Sequence, residues 1–149
     1  MPEKRTLERA ERDRRQGKSP STQAGEFVRE EMHHIREGKH GARSTRQAIA
    51  IGLSKARRAG VHLSPPKAGT SSARTRRKAA QDEKSGRKRH TPSRRRSRAA
   101  SGALKREGRK AASHRSLARQ AKKSARRRGS ASRSAAARKA ARTRARHRR

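Results

Sequence analysis

The sequence predicts an all-α protein: a small helical hairpin module of two helices, with a marginal N-terminal helix before it and a largely disordered basic tail with conditional helices after it. Three observations lead there. Within residues 19–63, apolar side chains recur at helical spacing between matched start and stop signals. Beyond residue 63 nearly all the charge is positive, and paired prolines mark the change. The chain as a whole is also too poor in large apolar groups to offset the entropy of ordering its full length. The expected segments are a polar N-terminal helix over 1–18, the hairpin module over 19–63 and an Arg/Lys/Ala/Ser-rich disordered tail over 64–149.

The clearest element runs from Ser44 to Gly60, STRQAIAIGLSKARRAG. Ser44 can cap its first turn while Gln47 reaches back to the Ser44 amide, the reciprocal pattern of a capping box. Gly60 ends it, with Arg57 and Arg58 at the negative end of the helix dipole. Ile49, Leu53 and Ala56 fall at i, i+4 and i+7, with Ala48, Gly52 and Ala59 on the same arc, whereas Gln47, Ser54 and Arg58 lie opposite and Ile51 falls outside it.

Upstream, Ser19 as cap and Pro20 in the first turn open a helix that runs to Glu37 and stops at Gly38. Ala24, Phe27, Val28, Met32 and Ile35 share one of its arcs, into which Glu31 intrudes. The connection from Gly38 to Arg43 is short enough to fold the two helices back on each other, so that Phe27, Val28, Met32, Ile35, Ile49 and Leu53 form the module core. Gly52, which costs about 1 kcal/mol relative to alanine, implies close approach of the partner helix. Val61 and Leu63 then fold over the end as a lid. A first helix, opened by Pro2 and spanning Glu3 to Arg15, offers the pairs Glu8–Arg12 and Glu11–Arg15 but only Leu7 and Ala10 as apolar residues, so it is expected to fray or to wait for a partner. The core is small, and a dimer or a docked nucleic acid would help to hold it.

The charge is extreme. Of 149 residues 47 are Lys or Arg and 11 are Asp or Glu, giving +36 and a pI of about 12.0, while 26% are hydrophobic and Phe27 is the one aromatic. Residues 1–63 hold 15 basic and 8 acidic side chains, against 32 and 3 in residues 64–149, and the boundary falls at Ser64-Pro65-Pro66. Such a balance calls for a polyanion, nucleic acid first and anionic membrane second. The 34 arginines outnumber the 13 lysines, which favours bidentate grip on phosphate. Gly102 to Arg128 and Ala131 to Arg146 are expected to become helical once phosphates neutralise them. With no cysteine there is no disulfide, thiolate zinc site or thiol nucleophile. The N-terminus lacks the apolar core of a signal peptide and nowhere do eighteen apolar residues run together, so neither export nor a membrane span is expected, and the location is read as cytoplasmic and nucleoid-associated.

The candidate nucleic-acid-binding residues are the tail cations Arg74, Arg76, Arg77, Lys78, Arg87, Lys88, Arg89, Arg94, Arg95, Arg96, Arg98, Lys122, Lys123, Arg126, Arg127, Arg128, Arg142 and Arg144. Ser64-Pro65-Pro66-Lys67 and Thr91-Pro92-Ser93-Arg94 resemble the S-P-x-K turns of linker-histone tails, and read either as groove contacts or as loop punctuation. His33, His34 and His40 invite a metal reading, which is set aside because His33 and His34 diverge by about 100° on a helix and no cysteine completes a site; no metal or other cofactor is expected. A helix-turn-helix would use Thr45, Arg46 and Gln47 to read bases, but the connection is longer than usual and a third helix is not evident. No constellation of residues points to catalysis, and a single aromatic is poor equipment for stacking single strands.

STRQAIAIGLSKARRAG, with the upstream STQAGEFVREEMHHIREGKHGA, looks like a family of small bacterial proteins grouped as a domain of unknown function, and QAIAIGLSKAR is the most specific piece. The tail resembles in composition those of bacterial linker-histone-like proteins. The resemblance implies a bacterial nucleoid-associated protein and supplies no functional residues. The function expected is sequence-nonspecific DNA binding by phosphate neutralisation, with two alternatives left open: an RNA- or ribosome-associated protein, or an adaptor that acts through residues 19–63, as a homo-oligomer or on a protein partner, and is localised by its tail.

Overall fold

A computed structural model describes residues 1–86 and 93–146, and the described residues are mostly helical, with residues 59–72 as the longest connection among them. The elements are α1 (Lys4–Arg15), α2 (Pro20–Arg36), α3 (Thr45–Arg58), α4 (Ala73–Gly86), α5 (Arg94–Lys105), a 3-10 turn (Lys110–Ala112), α6 (His114–Arg127) and α7 (Gly129–Arg146). Contacts divide the chain into two units, Met1–Ser113 and His114–Arg149.

The first unit is built on the α2–α3 hairpin. Ser19 caps α2 by accepting from the Thr22 amide, and Ser44 caps α3 by accepting from the Gln47 amide at 3.2 Å. The other half of the expected capping box is displaced by one residue, since the Gln47 side chain accepts from the Arg43 amide at 2.8 Å. Ala24, Phe27, Met32 and Ile35 of α2 and Ala48 and Ala56 of α3 are buried. Of the other expected core residues, Val28, Ile49 and Leu53 are only partly buried. The close approach expected at Gly52 is present: a Cβ there would lie 2.7 Å from the Val28 Cα and 3.0 Å from its Cγ2. Val61 and Leu63 do form the lid, held by Arg57, whose Nε donates to the Leu63 carbonyl at 3.2 Å.

Helix α1 does not fray. It buries Thr6, Ala10 and Asp13 and leaves Leu7 exposed. Polar contacts fasten it to α2: Arg9 Nε lies 2.7 Å from Glu26 Oε2, and the Glu3 amide donates to Glu30 Oε2 at 3.1 Å. Its entry is latched by the Glu3 carboxylate, which accepts from His34 Nε2 at 2.8 Å and from Lys39 Nζ at 3.2 Å. Those bonds hold the Glu3 carboxyl below its usual range, and bonds to Glu37 and Glu3 raise the Lys39 ammonium above its own.

The expectation of a disordered tail after Pro66 is overturned, because the described residues of that region form α4, α5, the 3-10 turn, α6 and α7. Two of its segments are docked on the hairpin. Helix α4 lies on α3, burying Ala79 and Asp82; Asp82 accepts from Ser54 Oγ at 2.6 Å and lies 3.4 Å from Arg58 Nε and 3.3 Å from Lys78 Nζ. Residues 104–112 then strap the connection between α2 and α3. Leu104 O accepts from the Gly41 amide at 2.8 Å, Gly108 O from the Ala42 amide at 3.1 Å, Ala111 O from Thr45 Oγ1 at 2.7 Å and Ala112 O from Arg36 Nε at 2.9 Å. Composition averaged over the tail hides these anchors, since small alanines and a few main-chain bonds do the docking and little apolar bulk is needed. Of the two conditional helices, Ala131 to Arg146 lies within α7, whereas Gly102 to Arg128 is interrupted by the strap between α5 and α6.

Gly52→Ala should lower the melting temperature by several degrees, because overpacking of about 1 to 3 kcal/mol exceeds the helix propensity gain of about 1 kcal/mol. Gly25→Ala, where a Cβ meets nothing within 4 Å, should raise it. At Gly41 a Cβ would run into the Glu107 carbonyl, so Gly41→Ala should release residues 104–112 to fast amide exchange and leave α1–α3 protected. A carboxyl held low in the folded state stabilises above its unfolded value of 4.5 and is lost as pH falls through the lowered value; α1 amides should therefore deprotect first on acidification, and Glu3→Gln should produce that deprotection at neutral pH.

Candidate nucleic-acid interface

The second unit carries 15 Lys and Arg residues and no Asp or Glu between His114 and Arg149. All 11 acidic side chains belong to the first unit. Alanine and arginine are both strong helix formers, which suits α6 and α7 to their conformation.

On α6 the residue order separates charge from bulk. At 100° per residue Leu117, Gln120, Ala121, Ser124 and Ala125 occupy one side, and the partly buried members of this set include Leu117, Gln120, Ser124 and Ala125. Arg119, Lys122, Lys123, Arg126 and Arg127 occupy the other and line one shallow concavity. They sit at i, i+3, i+4, i+7 and i+8, over about 12 Å of helix at 1.5 Å per residue. A duplex presents about seven phosphate charges over the same length of its axis, about half of them on each strand. Helix α7 is different: Arg138, Lys139, Arg142 and Arg146 share one side at 100° per residue, Arg133 and Arg144 take the opposite one, and it buries nothing.

The other expected contacts divide by exposure. Arg94, Arg95, Arg96 and Arg98 on α5 are exposed, as are Arg74 and Arg77 on α4, Arg126, Arg127 and Arg128 at the end of α6, Lys122 and Lys123 within it, and Arg142 and Arg144 on α7. Arg76 is partly buried and donates to the Ser71 carbonyl, and Lys78 pairs with Asp82, so these two are partly committed inward. Arg87, Lys88, Arg89 and the Thr91-Pro92 pair lie outside the described residues. The spacing of the basic face on α6 was available from the sequence and adds Arg119 to the expected set.

The start of α3 is not free to read bases. Thr45 bonds the Ala111 carbonyl, Gln47 bonds the Arg43 amide, and residues 104–112 lie over the preceding connection. Arg46 alone of the three is exposed without an internal task. The structure also brings His34 and His40 beside Glu31, a grouping that the sequence reading set aside by pairing His34 with His33; the three-residue step from Glu31 to His34 on one helix face was the signal. No helix among the described residues is long and apolar enough to cross a membrane. No family model matches the chain, and neither a curated protein nor a solved structure is detectably similar to it.

Proposed function

We propose that the chain is a non-catalytic, histone-like protein that binds DNA without sequence preference and acts in the bacterial nucleoid. The observation that carries this reading is the five-cation face of α6 in a unit that contains no acidic residue. Such a face matches the charge spacing of a phosphate backbone and gains affinity by releasing condensed counterions. The exposed arginines of α5 offer a second patch of the same chemistry in the first unit. Two features argue for phosphate over other polyanions and modes. The opposite side of α6 offers Leu117 as its one large apolar residue, too little for a helix that lies in a lipid interface. Phe27 is buried, so no Phe, Tyr or Trp ring is available for base stacking, which supports duplex over single strand.

The linker-histone-like composition of the basic region fits this placement. In mechanism, α6 lies against the duplex phosphates, the exposed α5 arginines add to that contact, and the acidic residues of the first unit hold its helices together. The test is a salt titration of the full chain on duplex DNA of mixed sequence. Binding should fall steeply and linearly in log affinity against log salt, with little change between sequences. Replacing Arg119, Lys122, Lys123, Arg126 and Arg127 with glutamine should reduce that slope by up to about 4.5, from about 0.9 per phosphate contact. An unchanged slope would overturn the role of α6, and no complex at low ionic strength would overturn the function. Tighter binding to folded RNA than to duplex at equal salt would move the target from DNA to RNA.

A further inference from the structure

We infer that Glu31, His34 and His40 form a binding site for a first-row divalent metal ion of the zinc type. Each offers one donor atom, and the three lie within 4.8 Å of one another. Glu31 is fully buried, and neither of its carboxylate oxygens accepts an aligned hydrogen bond, although Lys55 Nζ sits 2.7 Å from Oε2. The other oxygen, Oε1, faces His40 Nε2 at 3.4 Å. Two donors on a tetrahedral ion with arms of 2.0–2.1 Å are separated by about 3.3 Å, so this pair already has the required spacing.

The outer nitrogens determine what the inner ones can do. His40 Nδ1 lies 3.1 Å from the Gly41 carbonyl, which can only accept, so Nδ1 carries a proton and Nε2 is the nitrogen turned toward Glu31. His34 Nε2 donates to the Glu3 carboxylate at 2.8 Å, which leaves Nδ1 turned toward Glu30, 4.0 Å away. Each ring therefore ties one nitrogen to a carbonyl or carboxylate; on His40 the other faces Glu31, and on His34 the other lies toward Glu30, the carboxylate next to Glu31, an anchoring of the kind that orients histidine ligands around metals. An imidazole nitrogen and a carboxylate oxygen that face each other at this distance are bridged either by a proton or by a metal ion, and the response to Zn²⁺ separates the two. Lys55 serves Oε2 of Glu31 and Glu30 but not the side that His40 faces. Glu3, Glu30 and Glu31 bring three carboxylates to the cluster, with Lys39 and Lys55 as the cations paired to them. Two imidazoles and one carboxylate suit zinc and its neighbours, with a fourth position for water. His33, beside His34 but exposed, takes no part.

The site is tested on the full chain, stripped of metal by a chelator and dialysed against buffered Zn²⁺ at neutral pH. One equivalent should be retained, with a higher melting temperature. Glu31→Gln, His34→Ala and His40→Ala should each weaken retention at least tenfold, and His33→Ala should leave it unchanged. Should a variant fail to fold by circular dichroism, the wild-type protein decides: nitrogen NMR of its seven histidines should show His34 and His40 shifting with Zn²⁺ and the others still. No retention by the wild type, shifts centred on other histidines, or equal losses from His33→Ala and His40→Ala would each overturn the site. So would rings that titrate with protons but ignore Zn²⁺, which would make the cluster a pH-sensitive ion network.

Discussion

Negative charge is the scarce resource of this fold, and where its eleven carboxylates stand decides what can pack. A chain with formal charge +36 repels itself, so a helix can approach another only where a carboxylate or main-chain oxygen meets its cations. The α2–α3 contact shows this most directly. Glu30 and Glu31, buried on α2, face Lys55 of α3, and removing either side would leave a charge stranded in the interior. Around them Glu3 holds the start of α1 and Glu26 holds Arg9, so the first three helices share one ion-pair network that supplements an apolar core of modest size.

The same scarcity explains which parts of the basic region dock. Residues 64–149 hold three acids, Asp82, Glu83 and Glu107, and all three lie where that region meets the hairpin. The Asp82 carboxylate is buried against Ser54 and Arg58 and that of Glu83 is 3.9 Å from His62, whereas Glu107 meets Gly41 through its main-chain carbonyl and not its charge. After Glu107 the acids stop, and the second unit begins seven residues later. The first unit packs around its acids although α5 keeps exposed arginines, and the second unit has cations with no acid to meet them, so both follow from one distribution.

The hairpin was legible because its signals are local. Ser19, Pro20, Ser44, Gly38 and Gly60 punctuate helices through bonds within one turn, and Gly52 announces a close neighbour by lacking a side chain. The docked segments were not legible, since Leu104, Gly108 and Ala111 bind through their carbonyls, and every residue has one of those. The same limit hid the Glu31, His34 and His40 grouping, in which His40 arrives from the connection and only the spacing of Glu31 and His34 is written in sequence. For the basic face of α6 the opposite holds: its five cations stand at i, i+3, i+4, i+7 and i+8, a pattern that can be counted directly once the helix is granted.

The contrast between α6 and α7 follows from the period of their cations. Helix α6 confines its charge to one side, so a single phosphate chain can neutralise most of it while Leu117, Ala121 and Ala125 stay turned away. On α7 a single surface can meet only part of the charge, because at 100° per residue Arg133 and Arg144 share one direction while Arg138, Lys139, Arg142 and Arg146 gather on the opposite side. A helix of that kind reaches full neutralisation only when phosphates lie on both sides of it, in a groove between backbones or between neighbouring duplexes. The two helices therefore ask different things of the same polyanion, α6 one line of charge and α7 a line on each side.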